Sequence, residues 1–369
     1  MTETNWTARR LKAMSTAVCG LWLVGSASAA EPARQPATRP GTTWRGVHIL
    51  SPDKAHLPLL ERAITEVFAP IGVNVLVLEV GYKFEFASHP ELRQEGAMSR
   101  ADARRIAELC RRHSIRVMPE LDCLGHQSWK DNVWPLLTKY PDMEEPPSKA
   151  KDAPRLYCRS WCPLHPKVTE IVFPLLDELI DAFEADAFHV GMDEVFVIGS
   201  EQCPRCKGKA PAELYAKAVN DLHRHLVGEK KVTMLMWGDR LLDAKTMKYG
   251  EWEASINGTA PAIDMIPKDI VICDWHYGLR DDYPSIRYFQ EKGFRVWPSP
   301  WRDMKAAEAL MACARRDATD KMLGILCTTW MSDPMMLRAI LGEGDQSKLP
   351  EHPREAAAAL RTCMEKMRR

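Results

Sequence analysis

The chain has 369 residues, 46% hydrophobic and 27% charged, which is enough apolar material for one large core or two modest ones and excludes a disordered or fibrous polypeptide. Lys plus Arg and Asp plus Glu both number 50, so no basic surplus points to nucleic acid or an anionic membrane, and a neutral or polymeric partner fits better. Twelve Trp outnumber nine Phe and eight Tyr, and indoles supply flat apolar faces with one N–H donor, the kind of surface sugar-binding clefts use.

Arg9, Arg10 and Lys12 precede an apolar stretch from Ala13 to Val24 and the small-residue run Gly25-Ser26-Ala27-Ser28-Ala29-Ala30. That order of features is a secretory signal peptide over residues 1–29. The stretch is short for a membrane span, and nothing after it is long and apolar enough to be one. The expectation is a secreted or periplasmic protein. Residues 30–43, rich in Pro, Thr and Arg, read as a linker.

Beyond the linker, short Val/Ile/Leu-rich runs alternate with longer amphipathic ones. Strands are expected at Arg45–Leu50, Val73–Val80, Arg116–Leu121, Ala187–Gly191, Thr233–Trp237, Ile270–Trp275, Phe294–Pro298 and Gly324–Thr328. Helices are expected at Leu57–Phe68, Arg100–His113, Pro166–Phe183, Ala212–Val227, Tyr283–Lys292 and Met304–Asp317, with none clear between the fifth and sixth strands. Parallel strands buried on both faces read as continuous apolar runs, so the alternation fits an α/β chain forming a (β/α)8 TIM barrel over residues 44–345. Residues 346–369 then form a C-terminal helix packed on the barrel. A doubly wound open sheet is the alternative, but no Gly-rich phosphate turn follows the first strand.

A barrel carries its chemistry where the strands end. Here those ends collect acids and indoles: Glu79 and Tyr82 after the second strand, Glu120-Leu121-Asp122-Cys123-Leu124-Gly125-His126 after the third, Asp193-Glu194 after the fourth. Trp237-Gly238-Asp239, Asp274-Trp275-His276-Tyr277, Trp297-Pro298-Ser299-Pro300-Trp301 and Trp330 follow on the later strands. Adjacent carboxylates repel, so one is readily held protonated as a general acid while its neighbour stays ionised. That division of labour suits glycosidic bond cleavage, with Glu194 as the acid and Asp193 beside it.

At this point the chain resembles a family. His189-Val190-Gly191-Met192-Asp193-Glu194 is similar to the His-Ile-Gly-Gly-Asp-Glu signature of glycoside hydrolase family 20, the β-N-acetylhexosaminidases. Glu120-x-Asp122-x-x-Gly125-His126 is similar to that family's Glu-x-Asp-x-Pro-Gly-His, and Arg45-Gly46 resembles its Arg-Gly on the first strand. Taken together with Trp237, Asp274-Trp275 and Gly324–Trp330, the chain looks most like the short hexosaminidase D type. The resemblance implies exo-acting, retaining removal of terminal β-linked N-acetylhexosamine, with the sugar's own acetamido oxygen attacking C1 and no cofactor required. It also implies roles for individual residues. Glu194 would be acid then base, and Asp193 would orient the acetamido group and stabilise the oxazolinium ion. Arg45 would hold the O3 and O4 hydroxyls, and Asp122 and His126 would form a supporting hydrogen-bonded pair. Trp237, Trp275 and Trp330 would wall the acetamido pocket, with Glu79 and Asp239 as hydroxyl acceptors. Two departures stand out: Pro300-Trp301-Arg302-Asp303 replaces the frequent Tyr-Leu-Asp, so Tyr277 would substitute for its Tyr, and Trp330-Met331-Ser332-Asp333 replaces Trp-x-Glu. The choice between gluco and galacto configuration stays open.

Cys158-x3-Cys162 and Cys203-x2-Cys206 allow three readings: one or two disulfides, a structural zinc site, or free thiols. The other post-leader cysteines lie singly in apolar segments. Two rival functions share the rim residues, a sugar-binding barrel without catalysis and a metal-dependent sugar-converting barrel enzyme. Retention of both Asp193 and Glu194 argues against the first, and crowding by indoles against the second.

Overall fold

Trp44–Leu50, Val75–Glu79, Arg116–Cys123, Ala187–Gly191, Thr233–Trp237, Val271–Trp275, Arg295–Ser299 and Gly324–Cys327 form one sheet of parallel strands, the first seven paired in chain order. They are seen in a computed structural model that describes residues 42–146, 157–331 and 334–368. The eighth strand returns to pair with the first, with Trp44 opposite Gly324, and a Val296–Met322 bridge ties the seventh to the approach of the eighth. The result is a (β/α)8 barrel, as the alternating apolar runs require. The leader, all but the last two linker residues, and Ser332 and Asp333 lie outside the described residues. Among the described residues, no helix is long and apolar enough to cross a membrane.

Helices follow the strands where the amphipathic runs stand. Arg100–Arg112 begins at a capping box in which Ser99 accepts from the Asp102 N–H and Asp102 accepts from the Ser99 N–H. Lys167–Phe183, Pro211–His223, Pro284–Glu291 and Met304–Arg316 lie within two residues of the expected starts. The gap after the fifth strand does lack a full helix; only Ala244–Met247 and two 3-10 turns fill it. Pro334–Leu341 was not legible, while the C-terminal run is one helix, Glu351–Arg368, lying against it.

The barrel interior and the helix layer are separate apolar clusters. Trp44, Trp297 and Leu326 fill the end of the barrel where the strands begin, with the Trp44 and Trp297 rings 5.0 Å apart edge to face and Arg116 over Trp44. Gly46 is required there, because a Cβ on it would stand 2.2 Å from the Trp297 ring. The Arg45-Gly46 pair therefore belongs to the floor. Arg45 donates through Nε to the Gly72 carbonyl at 2.5 Å, at the strand beginnings and opposite the rim where a barrel does chemistry. This corrects the sugar-holding role drawn from the resemblance: position at the start of a strand, not residue type, decides which end of the barrel a side chain serves.

Candidate active site

The third strand is where the rim is built. Its pairing with the fourth slips between Glu120 and Cys123, and the bulge re-aims Leu121 and Asp122. Glu120 points into the barrel and is fully buried. It meets His48 Nε2 at 3.0 Å and His189 Nδ1 at 2.7 Å, and accepts from Trp237 Nε1 at 3.0 Å. Burial works against charge on His48, but Glu120 and Glu79 outweigh it and lift the imidazole to about 9. The same two histidines bury Glu120 as a carboxylate, held below its ordinary range although burial opposes this.

Above that layer the backbone is strained where the chemistry is. Leu124, His126, Met192, Glu194 and Trp330 all have left-handed φ, between 47° and 74°, a conformation uncommon for residues other than Gly. Gly191, at φ 63°, could be nothing else: a Cβ would fall 2.1 Å from Asp122 Oδ1. Gly125 is pressed as closely onto the Asp193 carbonyl, 2.6 Å from its would-be Cβ. The Tyr215 hydroxyl donates to the Met192 carbonyl, and the Glu194 N–H donates to Asp239 Oδ2 at 2.9 Å. Gln127 fastens the neighbouring loop, accepting from Tyr82 and donating to the Asp122 and Gly125 carbonyls.

These supports converge the carboxylates on one imidazole. His126 Nε2 is 3.0 Å from Glu194 Oε2 and 3.2 Å from Asp193 Oδ2. Burial lowers its pKa, yet Asp193 and Cys158 outweigh burial and hold it well above the usual histidine range. Asp193 is 5% exposed, and its Oδ1 has no hydrogen-bond partner. Asp122 makes no hydrogen bond to His126; burial, with Glu79, Asp193 and Glu120 nearby, pushes its carboxyl well above the usual range against the pull of the His126 charge. The expected Asp122–His126 pair is thus replaced by His126 facing the catalytic pair itself.

A cleft of about 850 Å3 opens over Asp193 and Glu194, walled by Trp275, Tyr277, Trp301 and Trp330. The Trp330 indole N–H donates to the Tyr277 hydroxyl, and Tyr277 stacks on Trp275 with centroids 5.0 Å apart. Trp237 is not part of that wall: it is fully buried beneath Trp330, spent on Glu120. Asp239 is likewise beneath the surface, held by Arg240 and the Glu194 N–H, with burial and Asp193 raising it to about 6 despite Arg240. It supports Glu194 and does not reach the cleft as an acceptor. Glu79 lines a smaller adjoining recess with Asp122, Trp129 and Trp134.

Sequence reading missed Trp129, Tyr157, Trp252, Glu253, Arg280 and His352, which line the outer cleft. None sits at a strand end, and only the excess of Trp hinted at them. It also missed where Cys158 goes: its Sγ is 3.3 Å from Glu194 Oε2 and 3.6 Å from His126 Nδ1, apart from the other three loop cysteines. Among the described residues, three groups have donors close enough to share a cation: His126, Cys158 and Glu194; His48, Glu79 and Glu120; and Glu145, Cys162, Cys203 and Cys206.

The profile of the glycosyl hydrolase family 20 catalytic domain matches residues 71–331, well over half of the chain and inclusive of Asp122, His126, Asp193 and Glu194. The chain belongs to glycoside hydrolase family 20. A β-hexosaminidase of Emericella nidulans is 26% identical over 237 residues, covering 57% of this chain and 34% of that protein. A lacto-N-biosidase of Bifidobacterium bifidum is 23% identical over 257 residues, covering 66% of this chain and 20% of that one. The chain spans about a third or less of the length of these two relatives. In fold it is similar to a Vibrio harveyi exo-β-N-acetylglucosaminidase solved with N-acetylglucosamine, at TM-score 0.59 and 16% identity over 89% of this chain and 57% of that one. A Flavobacterium johnsoniae chitobiase gives TM-score 0.58 and 17% identity over 89% and 52%.

Proposed function

We propose that this family 20 chain is an exo-acting, retaining β-N-acetylhexosaminidase that works through an oxazolinium ion. The observation that carries the reading is the Asp193–Glu194 pair at the end of the fourth strand, in an aromatic cleft, with Asp193 Oδ1 buried and unpartnered. A buried acceptor without a donor is costly unless a ligand supplies one, and an acetamido N–H would do so. The sugar's acetamido oxygen attacks C1 as the C1–O bond to the leaving group breaks, and Glu194 gives its proton to the departing oxygen. Asp193 accepts the acetamido N–H and offsets the positive charge that forms. Glu194, now a carboxylate, takes a proton from the water that reopens the ring at C1, so configuration is kept. Tyr277, fixed by Trp330, supplies the hydroxyl for the acetamido oxygen in place of the missing Tyr-Leu-Asp. Family members need no cofactor for this reaction. The natural substrate class is a glycan with a terminal N-acetylhexosamine, met outside the cytoplasm after export on the leader read from residues 1–29.

Glu194→Gln tests the assignment. Its kcat should fall by about 10²–10⁴-fold on N-acetylhexosaminides with poor leaving groups and far less on activated aryl ones. Equal losses on both would remove Glu194 as the acid. Turnover of plain glucosides at a comparable rate would remove substrate assistance.

A further inference from the structure

Beside the catalytic pair, and unused by the reaction, three thiols and one carboxylate converge in the core. The ligand atoms of Glu145, Cys162, Cys203 and Cys206 lie within 4.8 Å of one another, and all four residues are buried. Cys162 Sγ stands 3.3 Å from Cys206 Sγ and 3.5 Å from Cys203 Sγ. A zinc–thiolate tetrahedron with bonds of about 2.3 Å has edges of roughly 3.8 Å, whereas a disulfide needs about 2.05 Å. The observed separations are a few tenths of an ångström short of the first and more than 1 Å too long for the second.

The carboxylate settles which chemistry fits. One Glu145 oxygen accepts from the Ser200 N–H at 2.7 Å, and the other, buried without a well-formed hydrogen bond, faces the Cys206 thiol, whose pKa it helps to raise. A disulfide would consume two of the three thiols and leave that oxygen and the third thiol buried beside each other. A divalent cation uses all four donors. Ser200 is then the outer support that orients an acidic ligand, as metal carboxylates commonly have. Both turns are braced by backbone bonds: the Cys162 N–H to the Met143 carbonyl, the Glu145 N–H to Ser160, the Cys203 N–H to Ser200, and the Lys207 N–H back to Cys203. Arg205, Lys207 and Lys209 neighbour Cys203 and Cys206 in sequence, so the chain around the two thiols is basic, opposite in sign to the charge such a site would carry.

We propose that Glu145, Cys162, Cys203 and Cys206 form a closed structural site for a thiophilic divalent cation, zinc, that fastens the loop after the third strand to the loop after the fourth. Cys158 is not one of its ligands. Of the four cysteines grouped by spacing, three belong to the site, and Glu145 takes the fourth position. Its place is what gives it consequence: Cys158, four residues before Cys162, touches Glu194, and Ser200 lies six residues beyond Glu194 on the same loop. Four donors leave no open position for substrate, so the cation holds loops and does no chemistry.

Elemental analysis of the purified full chain, prepared without chelator or added reductant, should find close to one zinc per chain. Exchange for cobalt should give the thiolate-to-cobalt charge-transfer absorption and the intense visible bands of tetrahedral coordination, a readout that does not depend on activity. Glu145→Gln and Cys203→Ser should each lower zinc retention during dialysis against a weak chelator at least tenfold, whereas Cys158→Ser should keep the zinc. If Cys203→Ser fails to fold, the wild-type cobalt spectrum still decides. The proposal is overturned if the wild-type chain binds neither zinc nor cobalt at stoichiometric level. It is equally overturned if the unreduced, unfolded chain lacks the thiols of a disulfide among Cys162, Cys203 and Cys206. Loss of metal in Cys158→Ser with full retention in Glu145→Gln would refute the ligand set.

Discussion

Glu120→Gln is the most informative single change in the barrel, because one buried carboxylate holds the imidazoles and the indole under the active site. Glu120 faces His48 at 3.0 Å, His189 at 2.7 Å and the Trp237 indole at 3.0 Å. His48 is lifted from 6.5 to about 9, mainly by Glu120 against the opposing effect of burial, with help from Glu79. That rise is worth about 3 kcal/mol of folding stability at ~1.4 kcal/mol per tenfold. The sign follows from the folded value lying above the unfolded one: the contribution is full below pH 6.5 and disappears as pH rises through about 9. The neutral amide keeps an acceptor for Trp237 but leaves only Glu79, 3.3 Å away, to favour a cationic His48. Glu120→Gln should therefore be up to about 3 kcal/mol less stable than wild type at pH 6, and the gap should narrow towards pH 10 as wild type loses the same contribution. His276 is also lifted to about 9, by Asp274 and Glu253 against burial, so wild type alone will show a steeper alkaline loss. The difference between the two proteins isolates Glu120. Chemical denaturation at closely spaced pH values between 6 and 10 measures it. A gap that is constant with pH, or smaller than 1 kcal/mol at pH 6, would refute the buried ion pair.

Arg45→Ala should leave kcat and KM within about twofold and lower stability by about 1–3 kcal/mol through loss of a charged bond to the Gly72 carbonyl, read by parallel kinetics and urea melts. A hundredfold rise in KM would return Arg45 to the substrate. Cys158 should be the thiol whose alkylation stops catalysis, slowly, since burial pushes it up to about 12 against the pull of His126; the rate should climb about tenfold per pH unit and fall when a competitive inhibitor fills the cleft. Inactivation of Cys158→Ser at the wild-type rate would exclude it.

The barrel was legible because its eight strands are buried on both faces, leaving apolar runs that loops cannot imitate; boundaries fell within two residues of those expected. Asp193, Glu194 and His126 were legible because left-handed turns around Gly191 and Gly125 leave a compact mark in sequence. What failed was depth. Trp237 and Asp239 stand at a strand end like Trp275, yet Trp237 lies in register with Cys273, two residues short of Trp275, so the two indoles face the same way at different heights, and strand ends read from sequence do not give that height. Glu145 was invisible for another reason: nothing in its local sequence separates it from Glu144, which pairs with Arg159 at the surface side of the same turn. The Cys158 placement depended on how a loop folds across the rim, which spacing alone does not encode.

The outer cleft has a consequence for how a chain of sugars would be held. Trp129 and Trp252 are 42% and 45% exposed, and Tyr157 bridges them at ring centroids 6.2 Å and 5.3 Å away. Beyond the catalytic pair, then, exposed ring faces stand beside the polar groups of Glu253, Arg280 and His352. Faces grip any pyranose through its C–H side and are indifferent to which hydroxyl is axial or which carbon carries the next linkage.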